Sequence, residues 1–324
     1  MKLRIVIIGI LGLCLALYLV RYVGVGDVAA SAASIGWTGF AVLCLYSLLL
    51  FPLLGCAWYV LLPRLSSTGV GVVVWGRMVR DAATDVLPFS QIGGIVLGAR
   101  AAILHGLPSA TAFASTIVDI TTEMLAQIAY MMIGFGILSA SAPRTSLAAS
   151  VSKFVLVGLV LAVASGALLI LAQRRGHRLT AKLAERLLPR ALASTTAVTD
   201  SLDAIYESRG RVALSSSIHL AAWIASAVTT WLAFRLTGVH VAFAPVIAID
   251  SVVCAARSAA VVIPNALGVQ EATYAFLAPL FGIAPPAALA VSLLKRARDI
   301  AVGVPILLIW QFAESRRALA RQIP

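Results

Sequence analysis

Runs of about twenty mostly apolar residues recur along this chain, and no other feature limits its fold so tightly. Residues 37–62 form the clearest run, closed by Pro63 and Arg64, and further runs lie at 107–138, 154–172, 212–236 and 286–312. Each is long enough to cross a bilayer as a helix, which needs about 20 residues. A run at 3–20 follows Lys2 and contains Arg4; it reads as a sixth span. The alternative is a signal peptide cleaved near Ala30, Ser31 and Ala32. With 61% of 324 residues apolar and 12% charged, a soluble globular domain is excluded, as is a separate aqueous catalytic domain. The fold class expected is an all-α polytopic membrane protein, residues 1–324 forming a single transmembrane domain.

The charges divide into two sets. Seven bases (Arg77, Arg80, Arg100, Arg257, Lys295, Arg296, Arg298) and seven acids (Asp81, Asp85, Asp119, Glu123, Asp250, Glu271, Asp299) fall inside or beside segments assigned to membrane depth. That set balances. The net charge of +12 therefore belongs to loops and tails, where it reports topology and anionic lipid and not nucleic acid. The long polar connection at 173–211 carries Arg174, Arg175, Arg178, Lys182, Arg186, Arg190, Arg209 and Arg211, and the positive-inside rule makes it cytoplasmic. Threading outward puts Lys2, Arg4, Arg64, Arg316, Arg317 and Arg321 on the same side, so both termini are expected in the cytoplasm. Leu179, Leu183, Leu187 and Leu188 recur at helical spacing in that connection, as a surface-lying amphipathic helix would require; a plain solvated connector is the alternative. Cys14, Cys44, Cys56 and Cys254 lie in apolar segments with no CxxC spacing, and the histidines do not cluster, so no disulfide, metal or other cofactor is expected.

Two stretches read as helix, break, helix. In 70–104 a short apolar segment meets Arg77, Arg80, Asp81 and Asp85, breaks at Pro88 to Gly93 and Gly94, and resumes. In 241–281 the break lies at Pro264, Asn265 and Gly268, and a second short helix resumes at Glu271. Pro88 and Pro264, Gly106 and Gly282, and Glu123 and Asp299 are each 176 residues apart, the mark of a weak internal repeat. Three full spans separate the breaks, so the repeat is expected to be inverted, with two broken or re-entrant helix pairs opposed across the bilayer.

A charge at the centre of a spanning helix costs roughly 2.5–3.5 kcal/mol, so these residues need partners or water. Arg77, Arg80, Asp81 and Asp85 share one helical face and can pair along it; Asp119 and Glu123 are one turn apart; Lys295, Arg298 and Asp299 share a face, as do Asp250, Cys254 and Arg257. The plain alternative is that they are ion pairs holding a bundle together, or bases at helix ends reaching to the interface. A rival threading makes 241–263 and 271–294 full spans and Lys295 to Arg298 a loop. It leaves 300–312 too short to cross and puts a three-base cluster outside. A charged interior suits a substrate with a polar head and an apolar body, such as a phospholipid or a polyprenyl-phosphate-like molecule. Arg100, Arg257, Lys295 and Arg298 are suited to neutralise a phosphate, with the acids ordering the bases when the site is empty.

Leu87, Pro88, Phe89, Ser90, Gln91, Ile92, Gly93 and Gly94 with Arg100, followed by Ile263, Pro264, Asn265, Ala266, Leu267, Gly268, Val269, Gln270 and Glu271, resemble the paired motifs of the lysylphosphatidylglycerol synthase transmembrane (flippase-like) family. The second motif is most similar to members associated with hopanoid biosynthesis. The resemblance covers nearly the whole chain. It implies a bacterial inner-membrane protein that moves lipids or lipid-linked intermediates between leaflets, with anionic or hopanoid-type lipids as partners and lipid-biosynthesis enzymes as a further partner class. The bifunctional members carry a soluble aminoacyltransferase domain after the membrane part; this chain stops at Pro324, so lysine transfer is not expected. Phe89, Ser90 and Gln91 stand where many relatives are richer in glycine, which is a departure in the first loop.

The leading expectation is a flippase-like lipid translocase. No GxxxxGK[ST] motif is present, so ATP hydrolysis by this chain is not expected; Asp119, Glu123 and Asp299 are the natural proton-coupling candidates. An intramembrane enzyme acting on a lipid-linked substrate is a second class, but no nucleophile sits beside a base. A non-catalytic scaffold for lipid or hopanoid synthesis is a third. His105, His177, His219 and His240 are scattered and read as structural or interfacial.

Overall fold

The computed structural model describes residues 25–63, 69–87, 91–141, 195–260 and 263–320, with isolated positions at 14, 17–18, 21–22, 160, 163–164 and 167. The chain is an all-α polytopic membrane protein, and no strand occurs among the described residues. In chain order the helices are α1 (Val25–Ala33), α2 (Gly36–Tyr59), α3 (Val70–Val86), α4 (Gln91–Leu104), α5 (Ser109–Ser141), α6 (Thr195–Glu207), α7 (Arg209–Leu236), α8 (Phe243–Ala259), α9 (Val269–Leu277) and α10 (Pro285–Ala320), with 3₁₀ turns at Pro264–Ala266 and Ala278–Phe281. By length and composition α2, α5 and α7 qualify as membrane spans. Helix α10 has 36 residues, about 54 Å at 1.5 Å per residue, but charges interrupt its apolar run. The spans expected at 3–20 and 154–172 fall largely or wholly outside the described residues, as do Pro88 and the leucine-spaced segment at 179–188.

Helices α3 and α4 stand on either side of residues 88–90, which lie outside the described residues, and α8 and α9 stand on either side of the turn at Pro264–Ala266. Leu87 closes α3 in an extended conformation (φ −87°, ψ 131°), the region into which a following proline forces its neighbour. Helix α4 ends through Gly106 at φ +96°, with Leu107 N–H donating to Ala102 C=O at 3.2 Å and Gly106 N–H to Ile103 C=O at 3.1 Å. After the second break, Gly282 at φ +75° repeats the same turn, Ile283 N–H reaching Ala278 C=O and Gly282 N–H reaching Pro279 C=O, both at 3.1 Å. Each is a Schellman-type end in which the left-handed residue has to be glycine. The long helix then begins at Ser109 in one case and Pro285 in the other, again 176 residues apart. The order of elements α2 to α5 is thus repeated by α7 to α10.

The basic connection at 173–211, for which an amphipathic helix at 179–188 and a plain connector are the two expectations, is helical in its second part, at Thr195–Glu207. Val198, Leu202 and Ile205 of α6, spaced i, i+4, i+7, are buried against Leu61, Ala99, Phe113, Ala114 and Val118. The apolar stripe that makes α6 a core element is hidden in the sequence because the surrounding charges dominate the composition of the segment.

The chain divides into two compact units. One, called here the Arg77 unit, comprises Leu48–Glu123, Leu169–His219 and Asp299–Pro324; the other, the Lys295 unit, comprises Met1–Ser47, Met124–Leu168 and Leu220–Arg298. The Lys295 unit has a core of Leu138, Phe234, Ile249, Tyr274, Leu277 and Val291. In the Arg77 unit, α3 and α4 pack almost backbone to backbone. A Cβ added at Gly98 would stand 2.7 Å from Arg80 Cβ and 2.8 Å from Gly76 C=O, and one at Gly94 would stand 2.6 Å from Arg80 C=O. Gly94 and Gly98 form a GxxxG face, the small-residue device for close helix contact in lipid, where apolar burial supplies little drive. Gly98→Val is expected to cost about 1–3 kcal/mol by overpacking, measured as a lower thermal unfolding midpoint in detergent. Gly71→Ala, where an added Cβ meets nothing within 4 Å, should leave the midpoint within about 0.5 kcal/mol of wild type.

Candidate functional site

The helical face read from the sequence of α3 assembles the first charge network in the Arg77 unit. Arg77 Nε donates to Asp81 Oδ2 at 2.8 Å, one turn along the same helix. Its Nη1 reaches Asp119 Oδ2 at 3.2 Å and Glu123 Oε2 at 2.9 Å on α5, and its Nη2 completes a fork on Glu123. Arg80 reads the same pair of acids, Nη1 to Asp119 Oδ2 at 2.7 Å and Nη2 to Glu123 Oε2 at 2.6 Å, with a longer contact to Asp81 at 3.4 Å. Two guanidinium groups thus lie across two carboxylates one turn apart on α5. Both arginine side chains are about 95% buried and Asp119 is wholly buried, while Asp81 and Glu123 keep 23% and 22% exposure. The accessible edge of the network is therefore acidic.

His219 of α7, read from sequence as structural or interfacial, is part of this network. Its Nε2 lies 2.9 Å from Asp119 Oδ1 and its side chain is fully buried. Its Nδ1 is buried with no hydrogen-bond partner. The signal that was available is that His219 is an ionisable residue inside an apolar run, where such residues are expensive; no spacing ties it to Asp119, 100 residues away.

The Lys295 unit holds a second network. Lys295 Nζ of α10 donates to Asp250 Oδ1 of α8 at 2.6 Å, to Thr230 Oγ1 of α7 at 2.7 Å and to Tyr274 Oη of α9 at 2.9 Å. Tyr274 Oη and Thr230 Oγ1 in turn donate to Asp250 Oδ1 at 2.8 and 3.0 Å. The single carboxylate oxygen is thereby the hub of four helices. Thr230 and Tyr274 have no formal charge and so gave no sequence signal. Gln127 Nε2 donates to Cys254 Sγ at 3.0 Å and Ser258 Oγ at 2.7 Å; Cys254 is buried and reduced.

One residue along α10, Arg296 turns toward the second break. It forms an ion pair with Glu271 and donates to the carbonyls of Asn265 at 3.1 Å and Ala266 at 3.3 Å. Glu271, wholly buried, also accepts from Gly268 N–H at 2.8 Å and Ser292 Oγ at 3.2 Å. Asn265 and Ala266 both stand at positive φ, +47° and +46°, a conformation that costs an L-residue roughly 1–2 kcal/mol. Arg296 is the clamp that holds this strained turn, with Glu271 as its counter-charge. Arg257 of α8 reaches the same loop, Nη1 to Gln270 Oε1 at 2.9 Å and Nη2 to Asn265 Oδ1 at 3.1 Å. The break is thus built by two arginines reading backbone and amide oxygens.

Of the residues expected to form a site, Arg77, Arg80, Asp81, Asp119 and Glu123 come together, and so, separately, do Arg257, Glu271, Asn265 and Gly268. Lys295 is joined to Asp250. Asp85, Arg298 and Asp299 each make a further polar or electrostatic contact. Gly94 serves helix packing. Arg100 departs from expectation: its side chain is 41% exposed and pairs with Glu314 of α10, an acid assigned from sequence to the water-facing set. The last apolar run ends at 312, but its helix continues through Glu314 to Ala320. The α10 face at Ile300, Leu308, Ile309 and Phe312 is exposed, as a lipid-facing surface must be. Among the described residues, no group of three or more His, Cys, Asp or Glu side chains is placed to hold a metal.

A family model described as the lysylphosphatidylglycerol synthase TM region matches residues 3–306. No curated protein and no solved structure matches the chain.

Proposed function

We infer that this chain, which belongs to the lysylphosphatidylglycerol synthase TM region family, is a lipid translocase that moves a polar or hopanoid-related lipid between the leaflets of the bacterial inner membrane, with both termini cytoplasmic. The observation that carries the reading is the Arg77 network: two buried guanidinium groups held as forks on paired carboxylates, beside a broken helix pair, in a chain made for lipid. A guanidinium fork that fits a carboxylate also fits a phosphate oxygen pair. A headgroup can therefore exchange with Glu123, the partly accessible member, while Asp119 keeps the arginines aligned. The cost of moving a charged head through hydrocarbon is met by substituting one partner for another.

The matched helix ends at Gly106 and Gly282 support a duplicated architecture, which we take to be inverted, the arrangement used by many transporters to place irregular backbone away from lipid. An intramembrane enzyme and a scaffold of lipid synthesis are the competing readings. Leaflet exchange of fluorescent lipids in proteoliposomes separates them. Anionic, zwitterionic and hopanoid-type probes are compared for wild type, Arg80→Gln and Glu123→Gln at matched folded yield. Exchange by wild type that is lost in both variants supports translocation. Absence of exchange with every probe would sink it.

A further inference from the structure

The Arg77 network does not balance. Two guanidinium groups, Arg77 and Arg80, face three carboxylates, Asp81, Asp119 and Glu123, in mutual hydrogen-bond contact. Asp81 and Glu123 keep part of their surface exposed, but Asp119 is wholly buried, where an uncompensated charge is costly. His219 touches the most deeply buried of the three acids through Nε2. If that nitrogen carries the proton, it donates to the Asp119 carboxylate; the opposite tautomer would set a lone pair against a carboxylate. Nδ1 then presents a bare lone pair, buried and without a donor. The deficit of one positive charge and the unoccupied basic nitrogen belong to the same cluster.

We propose that His219 is a proton-binding site of the Arg77 network, and that protonation at Nδ1 makes the network competent for an anionic lipid headgroup. This rests on the translocase reading for its transport consequence. With His219 neutral, the cluster carries excess negative charge at its accessible edge, where Asp81 and Glu123 repel an anion. With His219 as imidazolium, three positive groups face three carboxylates and the repulsion falls. Proton and headgroup then favour each other's binding by the same factor. Imidazole is the side chain that ordinarily changes charge between about pH 5 and 8. Asp119 of α5 is the charged group in contact with it; Arg77, Arg80 and Asp81 of α3 and Glu123 of α5 belong to the same network. Asp85 lies one turn further along α3; Thr122 and Ser215, 3.0 Å apart, bridge α5 and α7 beside it. Arg100 and Glu314 of the same unit are paired with each other.

The test has two arms. In the first, the full chain with 15N-labelled histidine is reconstituted in lipid nanodiscs and its imidazole shifts are followed from pH 8 to 5. His219→Gln identifies the signals of His219 among the four histidines. Imidazolium signals from His219 that weaken in Asp119→Asn are expected. A His219 that stays neutral to pH 5, with the missing proton found instead on a carboxyl group by its infrared carbonyl band, overturns the proposal. In the second arm, exchange of an anionic fluorescent lipid in phosphatidylcholine vesicles is expected to rise about tenfold between pH 8 and 5.5 in wild type and to be flat in His219→Gln. Exchange that is equally fast at both pH values overturns the coupling and leaves translocation standing. Imidazolium formation with no exchange at any pH supports the proton site and fails the translocase reading.

Discussion

Asp119→Leu is expected to destabilise the protein by about 3–5 kcal/mol, the loss typical when one member of a buried charge pair is removed. Asp119 is wholly buried and receives Arg77, Arg80 and His219 together. Its loss leaves Arg77 and Arg80, whose side chains are only 4% and 5% exposed, without their wholly buried partner and held by the partly exposed Glu123 and Asp81 alone. Asp81→Asn should cost about 1 kcal/mol or less, because Asp81 is partly exposed, its contact with Arg80 is long, and pairs within reach of water contribute little. Folded yield and thermal midpoint by fluorescence-detected size-exclusion chromatography give the comparison. An Asp119→Leu protein as stable as Asp81→Asn would mean that the arginines are held by something else.

Lys295→Met should lose a similar amount, and Asp250→Asn introduced into it should restore most of that loss. The single variant leaves the Asp250 carboxylate buried with only hydroxyl donors from Thr230 and Tyr274; the double variant removes both charges and keeps those donors an amide oxygen to bind. A double-mutant cycle should return a coupling toward the upper end of the usual range of about 0.5–3 kcal/mol. The same double variant tests function at matched stability. We expect leaflet exchange at least about tenfold slower, equivalent to about 1.4 kcal/mol on the barrier. Additive single-variant effects would refute the pairing. Wild-type exchange rates in a stable double variant would make the Lys295 network structural alone.

Much of this arrangement was legible because intramembrane charge is rare and periodic. The i, i+3, i+4 spacing of Arg77, Arg80 and Asp81 and the one-turn spacing of Asp119 and Glu123 put them on common faces before any fold is known. The breaks were marked by Pro88, Pro264 and glycine, and Leu87 went extended as its proline requires. What the sequence withheld is which face meets which. Nothing in linear spacing separates Lys295, which turns to Asp250, from Arg296, which turns to the strained loop, although they are neighbours. Arg100 looked like a substrate base because Glu314 sits 214 residues away in a segment whose charges resembled a tail. Helix α6 was hidden for the opposite reason, its buried stripe being outnumbered by the charges around it.

The pairing of α3 and of α7 with α5 also sets an order of events while the chain is being made. Arg77 and Arg80 leave the ribosome 39–46 residues ahead of the α5 carboxylates they bind, roughly 2–9 seconds at about 5–20 residues per second. During that interval each arginine opposes entry into lipid by roughly 2.5–3.5 kcal/mol. Helix α3, with only Asp81 of its own to pair Arg77, is therefore expected to enter lipid more readily once α5 has arrived, and His219, 100 residues after Asp119, comes later still. The expectation is that these helices of the Arg77 unit enter the bilayer together.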